Sequence, residues 1–426
     1  ADGADIITAS AGTSNFRAGV NAGNSIASGG NYNVVVGDEA GTAITTGDNN
    51  VAVGYASLDV LTTGSTNTGL GSMSLGSNTT AGNNVGVGYY ALKANTTGDN
   101  NVAVGTNALD AATTASNNTA VGSDALTANT TGTENVAVGA GALTANTTGS
   151  YNHAFGRNAG AAITTGATNI AIGNAALSTA TTADGNTAIG HNTLAANTSG
   201  ASNVAVGANA LDANTSASNN TAVGYAALTA NTTGTENVAF GQVALTQSTT
   251  GNYNTGLGRA ALYGNTTASN NTAVGYNSLL SNTTGADNVA VGALSLDANT
   301  TASNNTAVGY ASLGANSTGY DNTAVGKSAL AANTTAPNNT AVGISSLTAN
   351  TTGASNSALG VNSLITNTTG SNNVAIGQQA LNYNTTAANN TAVGFQSLMA
   401  NTTGASNVAV GTSALTANTT GGDNVG

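Results

Sequence analysis

Hydrophobic and polar positions recur along the chain with a period of 17 residues. The glycine that ends each Val-Ala-Val-Gly-like segment falls at Gly37, at Gly54 and at every seventeenth residue up to Gly411, which gives 23 such glycines without an insertion or deletion. A fixed period of this kind is typical of repeat architectures, in which each repeat packs on its neighbours. We number each repeat from this glycine as position 1, so that positions 14–17 precede the next glycine.

Apolar residues lie in two segments of the repeat. Position 17 is always apolar, position 16 is almost always Ala, and position 15 is usually Val, Ile or Thr. This alternating, β-branched segment predicts a short strand at positions 14–17. Position 5 is Leu in 21 of the 23 repeats, and where it is glycine, at Gly41 and Gly160, Ile44 and Ile163 follow three residues later. We expect these isoleucines to fill the space that the missing leucine leaves.

The second segment, positions 4–8, often reads Ala-Leu-Thr-Ala-Asn. It is too short for a helix between its flanking Gly and Asn-Thr-Thr, so it predicts a second short strand or an extended run. The 17-residue period is also shorter than that of helical-hairpin repeats, which exceed about 30 residues. The sequence therefore predicts an all-β fold, a parallel β-solenoid (β-roll) of about 23 coils with one coil per repeat. At about 4.8 Å per coil, such a solenoid would be on the order of 110 Å long.

The regular pattern begins after an irregular N-terminal segment. Gly19 precedes Gly37 by 18 residues, and the residues before Gly19 lack the full pattern. We therefore predict a cap or joining segment at residues 1–30 and the solenoid at residues 31–426, which ends within a strand. Two interpretations of that end stay open: the native chain continues past Gly426, or the open coil abuts the N-terminal segment of another subunit in a head-to-tail polymer.

Two positions predict structural ladders that run from coil to coil. Position 14 is Asn in all 23 repeats, and stacked asparagines can pass carboxamide hydrogen bonds between coils and tolerate the left-handed backbone of a corner. Glycine at position 1 permits a tight corner or a close backbone approach. The predicted ladder residues include Asn203, Asn220, Asn271, Asn407, Gly207, Gly224, Gly275 and Gly411.

The alanines at position 16 predict a packing surface. Successive strand residues face opposite sides, so if positions 15 and 17 fill the coil, the alanine column faces outward. A long uncharged column of small residues suits close packing against another chain, and we predict an interchain face in a parallel homotrimer. The alternative is that these residues simply fill a narrow monomeric coil. The predicted interchain face includes Ala205, Ala222, Ala273 and Ala409.

The strand-and-corner motif resembles a known family of surface proteins. Asn-Val-Ala-Val-Gly-Ala-Asn-Ala-Leu at residues 203–211 and Asn-Thr-Ala-Val-Gly-Tyr-Asn-Ser-Leu at residues 271–279 resemble the head repeats of trimeric autotransporter adhesins (YadA-like heads). The full 17-residue form is also similar to repeats of bacteriophage tail fibres and related surface fibres. The resemblance covers roughly residues 31–426, although the repeat here is longer than that of the adhesin heads. It implies left-handed β-rolls that form trimers.

Composition excludes several functions. Charged residues make up 5% of the chain, against roughly a quarter in ordinary domains. Five basic and 17 acidic residues give a net charge of −12, which disfavours binding to nucleic-acid phosphates and to anionic membrane surfaces. No cysteine is present, so disulfides and thiolate chemistry are not available to the chain. No apolar run approaches the roughly 20 residues of a membrane span, so we expect no membrane insertion.

Motifs that carry chemistry are missing from the sequence. His153 and His191 stand in different columns, and no catalytic, phosphate-binding or metal-binding motif occurs. We therefore predict no enzyme activity, no cofactor and no metal site. Asn-X-Thr triplets such as Asn401-Thr402-Thr403 are formal glycan acceptors, although turn and ladder roles explain them without glycans. Where position 11 is Ala, position 15 is usually Thr.

These observations predict a non-enzymatic extracellular fibre protein. The chain would form the shaft of a surface filament, an adhesin or a phage tail fibre, at a cell surface or on a virion. Its partners would be copies of itself, in a homotrimer, a head-to-tail polymer or both, together with an unknown surface receptor. The alternative function is ice binding, in which stacked Thr columns at positions 9 and 10 would organise water.

Overall fold

The structure consists of short strands joined by turns. The computed structural model describes residues 6–7 and 11–426, so residues 1–5 and 8–10 of the predicted N-terminal segment lie outside the described residues. No helix occurs in the described part of the chain. The strands are β1 (Ile6–Ile7), β2 (Phe16–Ala18), β3 (Val34–Val36), β4 (Val51–Val53), β5 (Thr68–Leu70), β6 (Val85–Val87), β7 (Val102–Val104), β8 (Thr119–Val121), β9 (Val136–Val138), β10 (His153–Phe155), β11 (Ile170–Ile172), β12 (Thr187–Ile189), β13 (Val204–Val206), β14 (Thr221–Val223), β15 (Val238–Phe240), β16 (Thr255–Leu257), β17 (Thr272–Val274), β18 (Val289–Val291), β19 (Thr306–Val308), β20 (Thr323–Val325), β21 (Thr340–Val342), β22 (Ser357–Leu359), β23 (Val374–Ile376), β24 (Thr391–Val393) and β25 (Val408–Val410).

The strands pair in parallel with the strand one coil away. The chain divides into two compact units, one that ends at Ser216 and one that runs from Ala217 to Gly426. In the first unit β2 to β13 pair in chain order, and in the second unit β14 to β25 do the same. Like positions lie opposite each other, as Ala290 and Ala307 do in β18 and β19. This confirms the predicted all-β parallel solenoid of about 23 coils with 17 residues each.

The N-terminal segment joins the same sheet. β1 pairs antiparallel with β2, and β2 pairs in parallel with β3. Phe16 lies opposite Val34, so this step spans 18 residues, as the spacing from Gly19 to Gly37 indicates. The parallel pairing therefore starts within the segment that we predicted as a cap or joining segment.

The interior of each coil is lined by small residues of the strand, not by its branched ones. In every strand from β3 to β25 the middle residue, at position 16, is buried, while positions 15 and 17 are half-buried or exposed. Glycine at this position shows how narrow the interior is, because a Cβ on Gly256 would lie 3.4 Å from Cγ of Leu245 in the core. The strand therefore turns its alanine inward against the leucine of position 5.

The prediction that the alanine column faces outward is therefore wrong. The four representative alanines have no exposed surface within the single chain, and each lies in the middle of its strand, so none is available to contact another chain: Ala205, Ala222, Ala273 and Ala409. The expectation that positions 15 and 17 fill the coil is wrong for the same reason, since Val408 and Val410 are exposed.

Positions 2–7 form consecutive turns, so the prediction of a second strand at positions 4–8 is wrong. Leu330 at position 5 has a φ of 52° and Ser328 at position 3 a φ of 56°, both in the left-handed region. Ala329 N–H donates to the Gly326 carbonyl at 3.2 Å, and Asn333 N–H donates to the Leu330 carbonyl at 3.1 Å. A left-handed L-residue costs about 1–2 kcal/mol, which burial of a leucine side chain, at about 1.5–3 kcal/mol, offsets.

The two repeats without the leucine confirm the compensation that the sequence predicts. Ile44 and Ile163 have no exposed surface. A Cβ on Gly41 would lie 2.8 Å from Cδ1 of Ile44, and a Cβ on Gly160 would lie 3.1 Å from Cδ1 of Ile163. Each isoleucine thus occupies the space beside the glycine that replaces leucine.

Candidate functional site

A ladder of buried asparagines at position 14 links the coils. Asn305 donates from its backbone N–H and from Nδ2 to Oδ1 of Asn288, at 3.0 and 3.3 Å. Its Nδ2 also donates to the Gly319 carbonyl at 3.0 Å. Its Oδ1 accepts from the backbone N–H and Nδ2 of Asn322, at 3.1 and 3.2 Å. One side chain thus connects three coils, and its buried carboxamide has both a donor and an acceptor satisfied.

The structure places the asparagines that represent this column in the same arrangement. Asn203 N–H donates to Asn186 Oδ1 at 3.0 Å, and Asn237 N–H donates to Asn220 Oδ1 at 2.9 Å. Nδ2 of Asn271 and of Asn407 donates to the Gly285 and Gly421 carbonyls, each at 2.9 Å. The left-handed residue of this corner is position 13, with φ near 60°, so the expectation that the position-14 asparagine supplies it is wrong.

The glycines of position 1 adopt a backbone conformation that a side chain would strain. The φ angles of Gly207, Gly224, Gly275 and Gly411 are 129°, 134°, 136° and 139°. A Cβ on Gly275 would also lie 2.7 Å from the carbonyl oxygen of Gly292 in the next coil. Both the left-handed φ and the contact between coils therefore require glycine here.

A second asparagine ladder runs through position 8, which the sequence interpretation did not single out. Asn333 Nδ2 donates to Asn316 Oδ1 at 2.9 Å and to the Ala336 carbonyl at 3.0 Å. The threonine that follows continues the pattern, because Thr334 Oγ1 donates to the Thr351 carbonyl of the next coil at 3.2 Å. The recurrence of Asn at position 8 was the available signal for this ladder.

In each of the two units, the side chains at positions 15 and 17 form a surface that we call the outward strand face, on β3–β13 in the first unit and on β14–β25 in the second. It carries no Asp, Glu, Lys or Arg, and His153 is its single ionisable residue. Its exposed members include large apolar residues such as Phe240, of which 56% is exposed, and Leu359, of which 49% is exposed. Exposed apolar residues that recur on one face are typical of interaction sites in soluble proteins.

Aromatic residues border the outward strand face. Position 2, just past the strand and its glycine, carries exposed tyrosines, among them Tyr225 and Tyr310. Arg259 at the same position lies over the ring of Tyr276 in the next coil, 5.6 Å from its centroid. The border thus combines apolar rings with an occasional positive charge.

Half-buried carboxylates lie at position 6. Burial raises the pKa of the carboxyl groups of Asp59, Asp110, Asp212 and Asp297 above the usual aspartate value, and backbone hydrogen bonds oppose the rise. Because the folded pKa is raised, the carboxylate form destabilises the folded chain. That destabilisation is present above the folded pKa and fades as the pH falls through it.

Asp297→Asn should therefore stabilise the second unit slightly at pH 7. We expect a rise in Tm on the order of 1 °C, small because the side chain still contacts solvent. The variant should also gain less than the wild type on acidification from pH 7 toward about pH 4, near the pKa of an unfolded aspartate. Thermal melts at several pH values would measure both effects. Asp287→Asn, at an exposed corner where Asn is common, is the matched control, and an equal response there would contradict the explanation.

Groupings typical of metal sites are missing from the described residues. Within residues 6–7 and 11–426, no cluster of three or more His, Cys, Asp or Glu could hold a metal ion. No helix in that part of the chain is long and apolar enough to cross a membrane.

A small surface cavity of about 140 Å³ lies where Gly76 leaves space between Asp59 and Lys93.

Comparison with known proteins adds no relative. No protein-family model matches the chain, and no curated protein sequence matches it. The resemblance to adhesin heads and tail-fibre repeats therefore stays a prediction that rests on the strand-and-corner motif.

Proposed function

We propose that this protein is a structural, non-enzymatic fibre element of a cell surface or virion, and that its coils associate with other copies through the outward strand face. The observation that carries this proposal is the exposed or half-buried apolar side chain at position 17 of every strand from β3 to β25, joined by an apolar residue at position 15 in 11 of these 23 strands. A parallel homotrimer is the arrangement that the resemblance implies. It would bring the same face of three chains together around one axis.

The distribution of polar groups supports association through this face. The asparagines of positions 8 and 14 and the threonine hydroxyls of position 9 make hydrogen bonds within the chain. The outward strand face, in contrast, has no Asp, Glu, Lys or Arg whose charge would need solvation on burial. Burying an apolar side chain contributes about 1.5–3 kcal/mol, so small contributions from many coils would add up along the face.

The number of chains in the assembly tests the proposal. Sedimentation equilibrium and electron microscopy of the purified chain should show an oligomer with coils side by side. The triple variant Val238→Lys, Phe240→Lys, Leu257→Lys should dissociate it while circular dichroism stays β-rich, because three charges would be buried unpaired in the contact.

The matched control places the same charges on another side of the same coils. Thr233→Lys, Thr250→Lys, Thr267→Lys substitutes exposed residues of position 10 and should leave the oligomer intact. A wild-type chain that stays monomeric at micromolar concentration, or equal dissociation by both triple variants, would overturn association through this face.

Ice binding is the second candidate, and the exposed column of Thr and Ser at position 10 is the observation that favours it. The neighbouring column contributes less, because position-9 hydroxyls such as that of Thr283 donate to the next coil, here to the Thr300 carbonyl at 2.9 Å. Thermal hysteresis of the purified protein, reduced by the position-10 triple variant and not by the strand-face variant, would favour ice binding over the fibre.

A further inference from the structure

The chain carries Asn-X-Ser/Thr glycan-acceptor triplets, or sequons, at two places in the coil. One set begins at position 8, and the other begins at position 13, where the repeat reads Asn-Asn-Thr. The triplet is the recognised acceptor for N-linked glycans, so which set is accessible decides where the folded chain can be modified. The sequons at position 13 begin at Asn117, Asn219, Asn270, Asn304, Asn338 and Asn389.

The sequons at position 8 are inaccessible to solvent in the folded chain. Except for Asn418, in the last coil, their asparagines have no exposed surface. In Asn299, for example, Nδ2 donates to Asn282 Oδ1 at 2.8 Å and to the Ala302 carbonyl at 3.0 Å. A sugar on this nitrogen would replace a ladder hydrogen bond and would need space that the core does not have.

The sequons at position 13 are accessible to solvent. Asn304 is exposed, has a φ of 61° and is fixed by the hydrogen bond from its backbone N–H to the Ala286 carbonyl at 3.1 Å. Asn305, the next residue, is buried, whereas Thr306 at the start of β19 is half-buried. The acceptor residue and the sequon threonine therefore both have exposed surface in the single chain.

The carboxamide nitrogens of this set are also free of ladder contacts. Asn117 and Asn389 accept through Oδ1 from Asn100 and Asn372, at 3.3 and 3.4 Å. Within the described part of the chain, no hydrogen bond engages Nδ2 of any of the six. All six repeats have Ala at position 11, so the pairing of Ala at position 11 with Thr at position 15 coincides with these sequons.

We propose that these six corner asparagines are N-glycan acceptor sites of the folded protein and that the ladder asparagines are not. The donor class is a nucleoside diphosphate sugar, with a glycosyltransferase as catalyst. Nδ2 attacks the anomeric carbon, the nitrogen–carbon bond forms as the bond from carbon to the phosphate oxygen breaks, and the nucleoside diphosphate leaves. The amide proton passes to a base of the transferase, and no oxidation or reduction occurs.

The acceptor geometry belongs to one coil, but the sequon threonines stand at position 15 and an oligomer built through the outward strand face would cover them. Position 13 lies beside position 15, so the sugars would project from one edge of the outward strand face. A failure to oligomerise would leave the acceptor geometry unchanged, and a failure to accept sugar would leave the apolar face unchanged. The two experiments therefore fail separately.

Site mapping after enzymatic transfer tests the proposal. The folded full chain, as wild type and as the dissociating triple variant Val238→Lys, Phe240→Lys, Leu257→Lys, would be incubated with UDP-glucose and a purified N-glycosyltransferase that recognises Asn-X-Ser/Thr. The peptides would be mapped by mass spectrometry with electron-transfer fragmentation, and the triple variant decides the outcome because its outward strand face is uncovered. We expect one hexose at each corner asparagine and at least tenfold less at buried ladder asparagines. Synthetic peptides spanning residues 297–303 and 302–308 serve as controls for the transferase, and both should be modified.

Two results would overturn the proposal: comparable modification of buried ladder asparagines in the folded chain, or unmodified corner asparagines when the corner peptide is modified. Thr306→Val adds a matched variant that should fold, because Val289 occupies the same position one coil earlier. It should lose modification at Asn304 alone and keep it at the other five sites. Persistent modification at Asn304 in this variant would show transfer that does not depend on the sequon.

Discussion

Asn305→Asp should lower the free energy of unfolding of the second unit by about 3–5 kcal/mol at neutral pH, the usual cost of a buried charge without a partner. The change is isosteric, but it removes the Nδ2 donor that Asn288 Oδ1 and the Gly319 carbonyl accept from. It would place a carboxylate against both of these oxygens at a site without exposed surface. Thermal melting and hydrogen exchange of the flanking coils would measure the loss, since a repeat array can open locally.

The pH dependence of this variant separates charge from shape. Burial would raise the pKa of the new carboxyl group, so the loss should be present above that raised pKa and fade as the pH falls through it. Protonation restores a donor to the ladder. The stability of Asn305→Asp should therefore approach that of the wild type on acidification. A loss that stays constant down to pH 4 would indicate a packing defect instead.

Ser303→Asp is the matched control, two residues away in the same coil. Ser303 Oγ accepts from the Ala286 N–H at 3.0 Å, and in another coil Asp184 Oδ1 accepts in the same way from the Ala167 N–H at 2.7 Å. In Ser303→Asp, a carboxylate oxygen would therefore replace the hydroxyl oxygen as the acceptor, at a half-buried position. We expect a change within about 0.5 kcal/mol, and a loss comparable with that of Asn305→Asp would contradict the ladder explanation.

The period, the parallel strands and the asparagine column could all be predicted from the sequence, because each follows from which residues recur together. Alternation also shows that Val289 and Val291 share one side of a strand and Ala290 the other. It does not show which side is inward. Branched side chains are usually buried, and here that general preference was misleading.

Residue size was the signal that could have decided the question. The interior of a coil already contains the leucine of position 5 and the asparagines of positions 8 and 14, so only a small residue fits opposite them. The left-handed φ of residues such as Leu313, at 51°, could not be predicted, since leucine does not favour that region. That backbone brings positions 5 and 8 into the interior and makes the coil narrow. The sequence thus predicts the fold better than it predicts the outward strand face. Which side of a strand points outward depends on how the rest of the coil closes.

Gly326→Ala should lower the free energy of unfolding by on the order of 3 kcal/mol, through backbone strain and overpacking together. Gly326 has a φ of 135°, and a Cβ there would lie 2.5 Å from the carbonyl oxygen and 2.7 Å from the carbonyl carbon of Gly343. The clashing atoms are backbone atoms of the next coil, so relief would require the two coils to separate. That separation would also lengthen the hydrogen bond from the Leu330 N–H to the Ser346 carbonyl, now 3.0 Å.

Gly314→Ala makes the same chemical change less than one coil away and should be nearly neutral, within about 0.5 kcal/mol. Its φ lies outside the left-handed region, and a Cβ there would lie 3.4 Å from the nearest atom, the Ala311 carbonyl oxygen, which is an ordinary contact. Thermal melts of the two variants beside the wild type would measure the difference. Equal stability of both variants would contradict both causes, the strain of the positive φ at Gly326 and the close approach of the next coil.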